Sequence, residues 1–147
     1  MGCNCALDTL VSQAAGAGNL RQCGVYLNKS RFVVLCLFLP ILAILLNTES
    51  VLVALGQDKL VSAYSQQYNL VYLPGLLFKG FADCERRFLN NFGKNRIPFY
   101  TSLVGVVLHT FFCYVFVVAY KWDIVGLGIA NVITGMCVYF MLLIYSR

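Results

Sequence analysis

Ile97-Pro-Phe-Tyr-Thr-Ser-Leu-Val-Gly-Val-Val-Leu-His-Thr-Phe-Phe-Cys-Tyr-Val-Phe-Val-Val-Ala-Tyr120 runs for 24 residues without a single Lys, Arg, Asp or Glu. A helix needs about 20 mostly apolar residues to cross a hydrocarbon core of ~30 Å, and this stretch meets that length. Three further charge-free runs flank it: Phe32–Thr48 (17 residues), Leu60–Phe78 (19) and Ile124–Ser146 (23). The first reaches spanning length if it begins near Val25 and Lys29 and Arg31 snorkel toward the headgroups. Backbone groups in lipid must be paired within the segment, so these runs are read as helices. Alternation of period two is absent, which argues against a transmembrane barrel.

Composition agrees with this reading. Of 147 residues, 60% are hydrophobic and 12% charged, against about 25% charged in an ordinary soluble domain. So few charges could not solubilise that much apolar surface, which leaves disorder, coiled coil and cytosolic enzyme as poor readings. The sequence predicts an all-α polytopic membrane protein. It is read as a single transmembrane helical domain over 1–147, with spans at about 25–47, 60–81, 97–120 and 124–146. Residues 1–20 are read as a partial helix followed by a loop, with a Gly-rich break at Gly16 and Gly18.

Lys and Arg set the expected orientation. The segment before the first span carries Arg21, Lys29 and Arg31, and the next loop carries Lys59 alone. The third segment carries Lys79, Arg86, Arg87, Lys94 and Arg96, the fourth Lys121, and the tail Arg147. Rich and poor loops alternate, which by the positive-inside rule places both termini and the Lys79–Arg96 loop in the cytoplasm. The net charge of +5 is therefore topological, and no basic face for nucleic acid is implied. Trp122, in the tight turn Lys121-Trp122-Asp123, fits the headgroup level.

Seven cysteines stand at 3, 5, 23, 36, 84, 113 and 137 with no Cys-x-x-Cys pair. They read as reduced, small apolar residues. No metal site is expected, because the one histidine has no clustered partners, and no cofactor is implied. Met1-Gly2-Cys3 hints at acylation, but Ala6 stands where myristoylation wants Ser or Thr. No signal peptide precedes the first span. Gly126-x-Gly128 lacks the context of a nucleotide fingerprint, and no hydrolase or kinase motif is present, so the chain is not read as an enzyme.

Polar residues inside spans are where chemistry would sit. Ser62, Ser65, Gln66 and Asn69 share one face of the second predicted helix. Ser102, Gly105, His109 and Cys113 share a face of the third. Gly128, Asn131, Thr134 and Gly135 share a slightly broader face of the fourth. Lipid penalises such groups, so the stripes face protein or water. Two readings stand: interhelical packing with hydrogen bonding, or a shared polar cavity lined by Gln66, Asn69, His109, Cys113, Asn131 and Thr134. His109 is either a neutral hydrogen-bonding residue or a proton-coupling one. Tyr64, Tyr68 and Tyr72 form an i, i+4, i+8 ladder that serves packing or holds an organic cation. Asp8, with Thr9 and Gln13 nearby, reads as local hydrogen bonding at a helix–loop junction.

Several motifs resemble a known family. Ala6-Leu7-Asp8-Thr9-Leu10 followed by Gln13-Ala14-x-Gly16-Ala17-Gly18 resembles the end of the second helix of eukaryotic multidrug and toxic compound extrusion (MATE) transporters. Gly24-Val25-Tyr26-Leu27 resembles the start of their third helix, and Leu55-Gly56-Gln57-Asp58 the loop after it. Leu73-Pro74-Gly75-Leu76 with Arg87-Phe88-Leu89 and Pro98 resembles their fourth helix and its exit. His109, Cys113, Val117, Gly126-x-Gly128-Ile129-Ala130 and Tyr145 are similar to the fifth and sixth helices. The family's Gln-rich stretch after the fourth helix is Asn90-Asn91 here. The resemblance implies helices two to six of an N-terminal lobe, that is, four transmembrane helices plus the end of a fifth. It also implies efflux of organic cations or drug-like substrates in exchange for protons or sodium, in the plasma membrane or an acidic-organelle membrane. The remaining C-terminal lobe would be a partner beside the lipid bilayer. The carboxylates that the family carries in the C-terminal lobe and on helix one are not in this sequence. The competing expectation is a transport-inactive piece acting as a structural or interaction subunit.

Overall fold

A computed structural model of the protein describes residues 9–14, 16–18 and 20–146; Ala6, Leu7 and Asp8 of the first motif lie outside them. A helical stretch over 9–14 leads into α1 (Leu20–Leu46), α2 (Thr48–Ala54), α3 (Lys59–Asn91), α4 (Arg96–Cys113) and α5 (Asp123–Ser146). Between α4 and α5 the backbone widens into a π-helical segment, Tyr114–Ala119. Helices cover the predicted spans, with shifted ends. The first begins five residues earlier than expected. The 33 residues of α3 carry the charged extension Asp83, Glu85, Arg86 and Arg87 well past Phe78.

Among the described residues, three helices, Arg21–Leu46, Arg96–Ala119 and Ile124–Ser146, are long and apolar enough to cross a membrane. The 33-residue α3 is longer still, about 50 Å at 1.5 Å per residue, but Ser62, Ser65, Gln66, Gln67 and Asn69 make it more polar than its neighbours. Much of that polarity is consumed locally or against other helices. The large apolar side chains of α1 and α4 point outward: Phe32 is 67% exposed and Val106 65%. Only 6% of the apolar window is buried in each of these two helices, as expected where lipid covers the remainder.

Helix ends follow from local chemistry. Asp58 caps α3, its Oδ1 accepting from Leu60 N at 2.7 Å. Two glycines stop helices in the left-handed conformation, Gly56 at φ 86° after α2 and Gly93 at φ 71° after α3. At both, the following amide reaches back across the last turn, Gln57 N to Leu52 O at 3.0 Å and Lys94 N to Leu89 O at 3.1 Å. This is the Schellman arrangement, which a residue with Cβ closes only under strain. Pro98 lies in the first turn of α4, where a missing N–H costs little.

α3 and α5 make the most extensive contact, and α4 packs on α5, while α3 and α4 scarcely touch. Glycines set the α3–α5 seam. A Cβ at Gly128 would meet Val71 Cγ1 at 2.9 Å, and one at Gly75 would meet Val132 Cα at 3.1 Å. Small residues of this kind let helix backbones approach where lipid supplies no hydrophobic drive. Two buried clusters lie at the basic end of the helices. Val11, Ala14 and Cys23 gather Tyr26, Phe88 and Phe92. Ala82, Leu89 and Leu142 gather Ile97, Val138 and Tyr139.

Candidate functional site

The gap between α3 and α4, floored by α5, is a cleft of about 400 Å³. Its walls alternate small and polar residues. From α3 come Tyr72, Gly75, Lys79, Asp83 and Arg86; from α4, Ser102, Gly105, His109 and Thr110; from α5, Asn131, Thr134 and Gly135. Three of the six residues expected in a cavity, His109, Asn131 and Thr134, therefore share one cleft. The small positions Gly105 and Gly135 of the same stripes lie beside them.

The hydroxyls lining the cleft already donate to their own helices. Ser102 Oγ donates to Pro98 O at 2.7 Å, Thr110 Oγ1 to Val106 O at 2.9 Å and Thr134 Oγ1 to Ala130 O at 2.8 Å. Each oxygen keeps acceptor lone pairs. Asn131 Nδ2 donates to Tyr68 Oη at 3.2 Å, and Tyr68 stacks on Tyr72 at 5.6 Å between ring centroids. The cleft thus offers acceptor oxygens beside the Tyr72 ring, which stacks on Tyr68. Lys79, Asp83 and Arg86 set alternating charges on its α3 wall.

Gln66 and Asn69 point elsewhere. Gln66 Nε2 donates to Leu46 O at 2.7 Å, while its Oε1 accepts from Glu49 N at 3.0 Å. Asn69 Nδ2 donates to Thr48 Oγ1 at 3.0 Å. Together they clamp the corner between α1 and α2, so for these two residues the packing reading describes the placement. Ser62 and Ser65 donate to backbone carbonyls one turn back. Cys113 is half-buried beside His109, its Sγ 3.5 Å from Nε2. Thr9, Gln13 and Gly16 do not line the cleft. The Thr9 carbonyl accepts from Ser12 Oγ at 3.0 Å, and the Gln13 carbonyl accepts from Ala17 N at 3.0 Å. Gly16 has open space where a Cβ would stand. The tyrosine ladder divides as well: Tyr64 lines a separate groove of about 560 Å³ with Gln67, Lys121 and Trp122.

Sequence reasoning named Tyr72 in its tyrosine ladder but missed the rest of the α3 wall of the cleft. Tyr72, Gly75, Lys79, Ala82 and Arg86 recur at helical spacing, and that periodicity was a readable signal hidden by the stronger stripe above it. It also missed Glu85. This carboxylate is fully buried and pairs with Arg31 of α1. Arg31 Nη1 also donates to Asn28 Oδ1 at 3.0 Å. Arg31, expected to snorkel, finds a partner in this buried carboxylate across the helix pair. Lys29 stays exposed, its Nζ 5.8 Å from the centre of the Tyr26 ring.

Comparison with known proteins agrees with this architecture. The family model described as MatE matches residues 1–115. Multidrug and toxin extrusion protein 1 of Danio rerio is 32% identical over 142 residues, covering 97% of this chain and 24% of that protein. The Homo sapiens protein of the same name is 29% identical over 144 residues, 98% of this chain and 25% of its own length. Protein DETOXIFICATION 17 of Arabidopsis thaliana is 33% identical over 117 residues, 80% of this chain and 25% of its own length. The chain spans about a quarter of the length of these curated relatives.

Proposed function

The chain belongs to the MatE family, a family of membrane transporters rather than enzymes, and from that premise we propose that it forms one wall of a secondary antiporter for organic cations or drug-like molecules. The observation that carries this reading is the cleft between α3 and α4, where His109, Asn131 and Thr134 share a lining with Tyr72, the ring stacked on Tyr68. All four long helices, α3 included, would cross the bilayer, with the Asn91–Arg96 connection and both termini on the cytoplasmic side. Substrate would sit against the cleft near the midplane. A second lobe would close over it and rock against this one to give alternating access. Protons or sodium would drive the exchange.

The test is binding first and transport second. Purified chain in lipid nanodiscs should bind a fluorescent planar cation such as ethidium. Asn131→Leu and His109→Ala should each weaken binding roughly tenfold, as loss of one charge-assisted hydrogen bond or ring contact implies. Thr9→Ala, outside the cleft, should leave it unchanged. Equal affinity in all four proteins would refute the cleft assignment. Ethidium uptake into proteoliposomes under a proton or sodium gradient then decides whether the chain transports alone or only with a longer product.

A further inference from the structure

We propose that the groove where α3 and α5 begin is a binding site for a phospholipid, with preference for a headgroup of net negative charge. The groove holds about 560 Å³ and is separate from the cleft between α3 and α4. Its lining changes character along the helices. Lys121 and Trp122 stand in the turn before α5, and both are exposed. Ile124, Val125 and Ile129 follow along α5, the last about 9 Å past the first residue of that helix at 1.5 Å per residue. Tyr64 and Gln67 of α3 complete the lining. A phospholipid carries its groups in the same order: a phosphate, then ester carbonyls, then acyl chains. Lys121 takes the phosphate, the Gln67 amide and Tyr64 hydroxyl donate to carbonyl oxygens, and the chain lies along the isoleucines and valine. A free anion would find one ammonium there and an apolar floor; a lipid uses both.

Gln67 is the residue that calls for an occupant. Its side chain finds no hydrogen-bond partner among the described residues, whereas the adjacent Ser65 and Gln66 side chains are both bonded. Eight residues into α3, about 12 Å from Lys59, it lies near the depth at which headgroups give way to hydrocarbon. An unpaired amide is costly there, and a lipid carbonyl satisfies it. The rim is held in place. Lys121 turns the chain in the left-handed conformation, φ 53°. Trp122 N then donates to Phe116 O at 3.1 Å, and Gly126 N to Trp122 O at 2.9 Å. The Trp122 ring lies on Phe116 with 13° between planes, so the aromatic wall at the rim is braced from behind. Tryptophan at this position suits the headgroup level, and one lysine beside it favours anionic headgroups about fivefold.

Trp122 is the single tryptophan of the chain and lines the groove, so its fluorescence reports on the site directly. The experiment places the full chain in vesicles of phosphatidylcholine and phosphatidylglycerol, with bromine on the acyl chains of one lipid or the other as the quencher. At equal mole fraction, brominated phosphatidylglycerol should quench Trp122 more steeply than brominated phosphatidylcholine, with a relative affinity of about fivefold. Lys121→Gln should bring that ratio close to one. Lys59→Gln, which removes a cation at the start of α3 outside the groove, should leave it unchanged. Equal quenching by the two lipids in the unaltered protein would overturn the proposal, and this comparison does not depend on how any variant folds. A preference that survives Lys121→Gln would overturn it too. So would one that Lys59→Gln abolishes equally, since that describes diffuse surface charge and not a site. No readout requires transport or a ligand in the cleft, so the outcome stands apart from the antiporter reading.

Discussion

Glu85 shows most directly how a single residue is committed by its surroundings. Its side chain is fully buried, one oxygen pairs with Arg31, and Oε2 finds no hydrogen-bond partner among the described residues. Breaking a buried pair by removing one partner strands the other charge, at a cost of about 3 kcal/mol or more. Glu85→Gln should therefore lower the midpoint of thermal unfolding in detergent markedly. The double change Arg31→Met with Glu85→Leu should recover most of the loss, because a packed apolar pair avoids the desolvation penalty. A double variant no better than the single one would show that the pair is not the source of the effect. Neighbouring Cys84 is also buried, and that burial pushes its thiol above the ordinary range, with Glu85 and Asp83 adding to the effect. Its thiol stays protonated at neutral pH, and the contribution of that neutral form to stability is lost only as pH rises above the ordinary thiol range. None of this was legible in the sequence, since the pair joins residues 54 positions apart. A charge at a span edge can snorkel or pair, and only the tertiary register decides.

At the scale of the element, much was legible. The charge-free runs marked where helices lie, and Pro98 and Asp58 sit where helix starts tolerate them. The interior faces were read less well, for a physical reason. The Ser62–Asn69 stripe of α3 has neighbours on two sides. Its upper part meets the α1–α2 corner, while the cleft is lined further along from Tyr72. A polar stripe shows that a face avoids lipid but not which neighbour it meets. The glycines of α5 read as part of a polar or small stripe, and Gly128 proves to be a contact point. Gly128→Leu should destabilise the protein by about 1–3 kcal/mol, because its Cβ would enter Val71. Gly24→Ala, in α1 with open space around it, should be neutral or stabilising by up to about 1 kcal/mol. Denaturant titration by circular dichroism compares them, and similar values for both would remove the seam argument.

At the scale of the whole molecule, fold class and family were readable because composition and motif order are global properties. The cleft required knowing that α3 and α4 stand apart on α5. Orientation is the expectation that follows from the alternating Lys and Arg counts. Lys94→Cys and Gln57→Cys, placed in the two loops beyond Gly93 and Gly56, test it with a membrane-impermeant maleimide. Lys94→Cys should label only from the cytoplasmic face and Gln57→Cys only from the other; the reverse pattern would invert the topology. Cys84, buried between helices, is a poor reporter for this purpose.

The π segment carries one more consequence. Across Tyr114–Ala119 an amide bonds five residues back, as Tyr120 N does to Val115 O at 3.0 Å. Each such turn holds more residues than an α turn, so the helical phase slips along the segment. Side chains beyond it are displaced around the axis from where an unbroken α-helix would aim them. That displacement helps bring Trp122 flat against Phe116, 5.8 Å between ring centroids. The surplus residue of each such turn is thus accommodated with the backbone bond kept inside the helix.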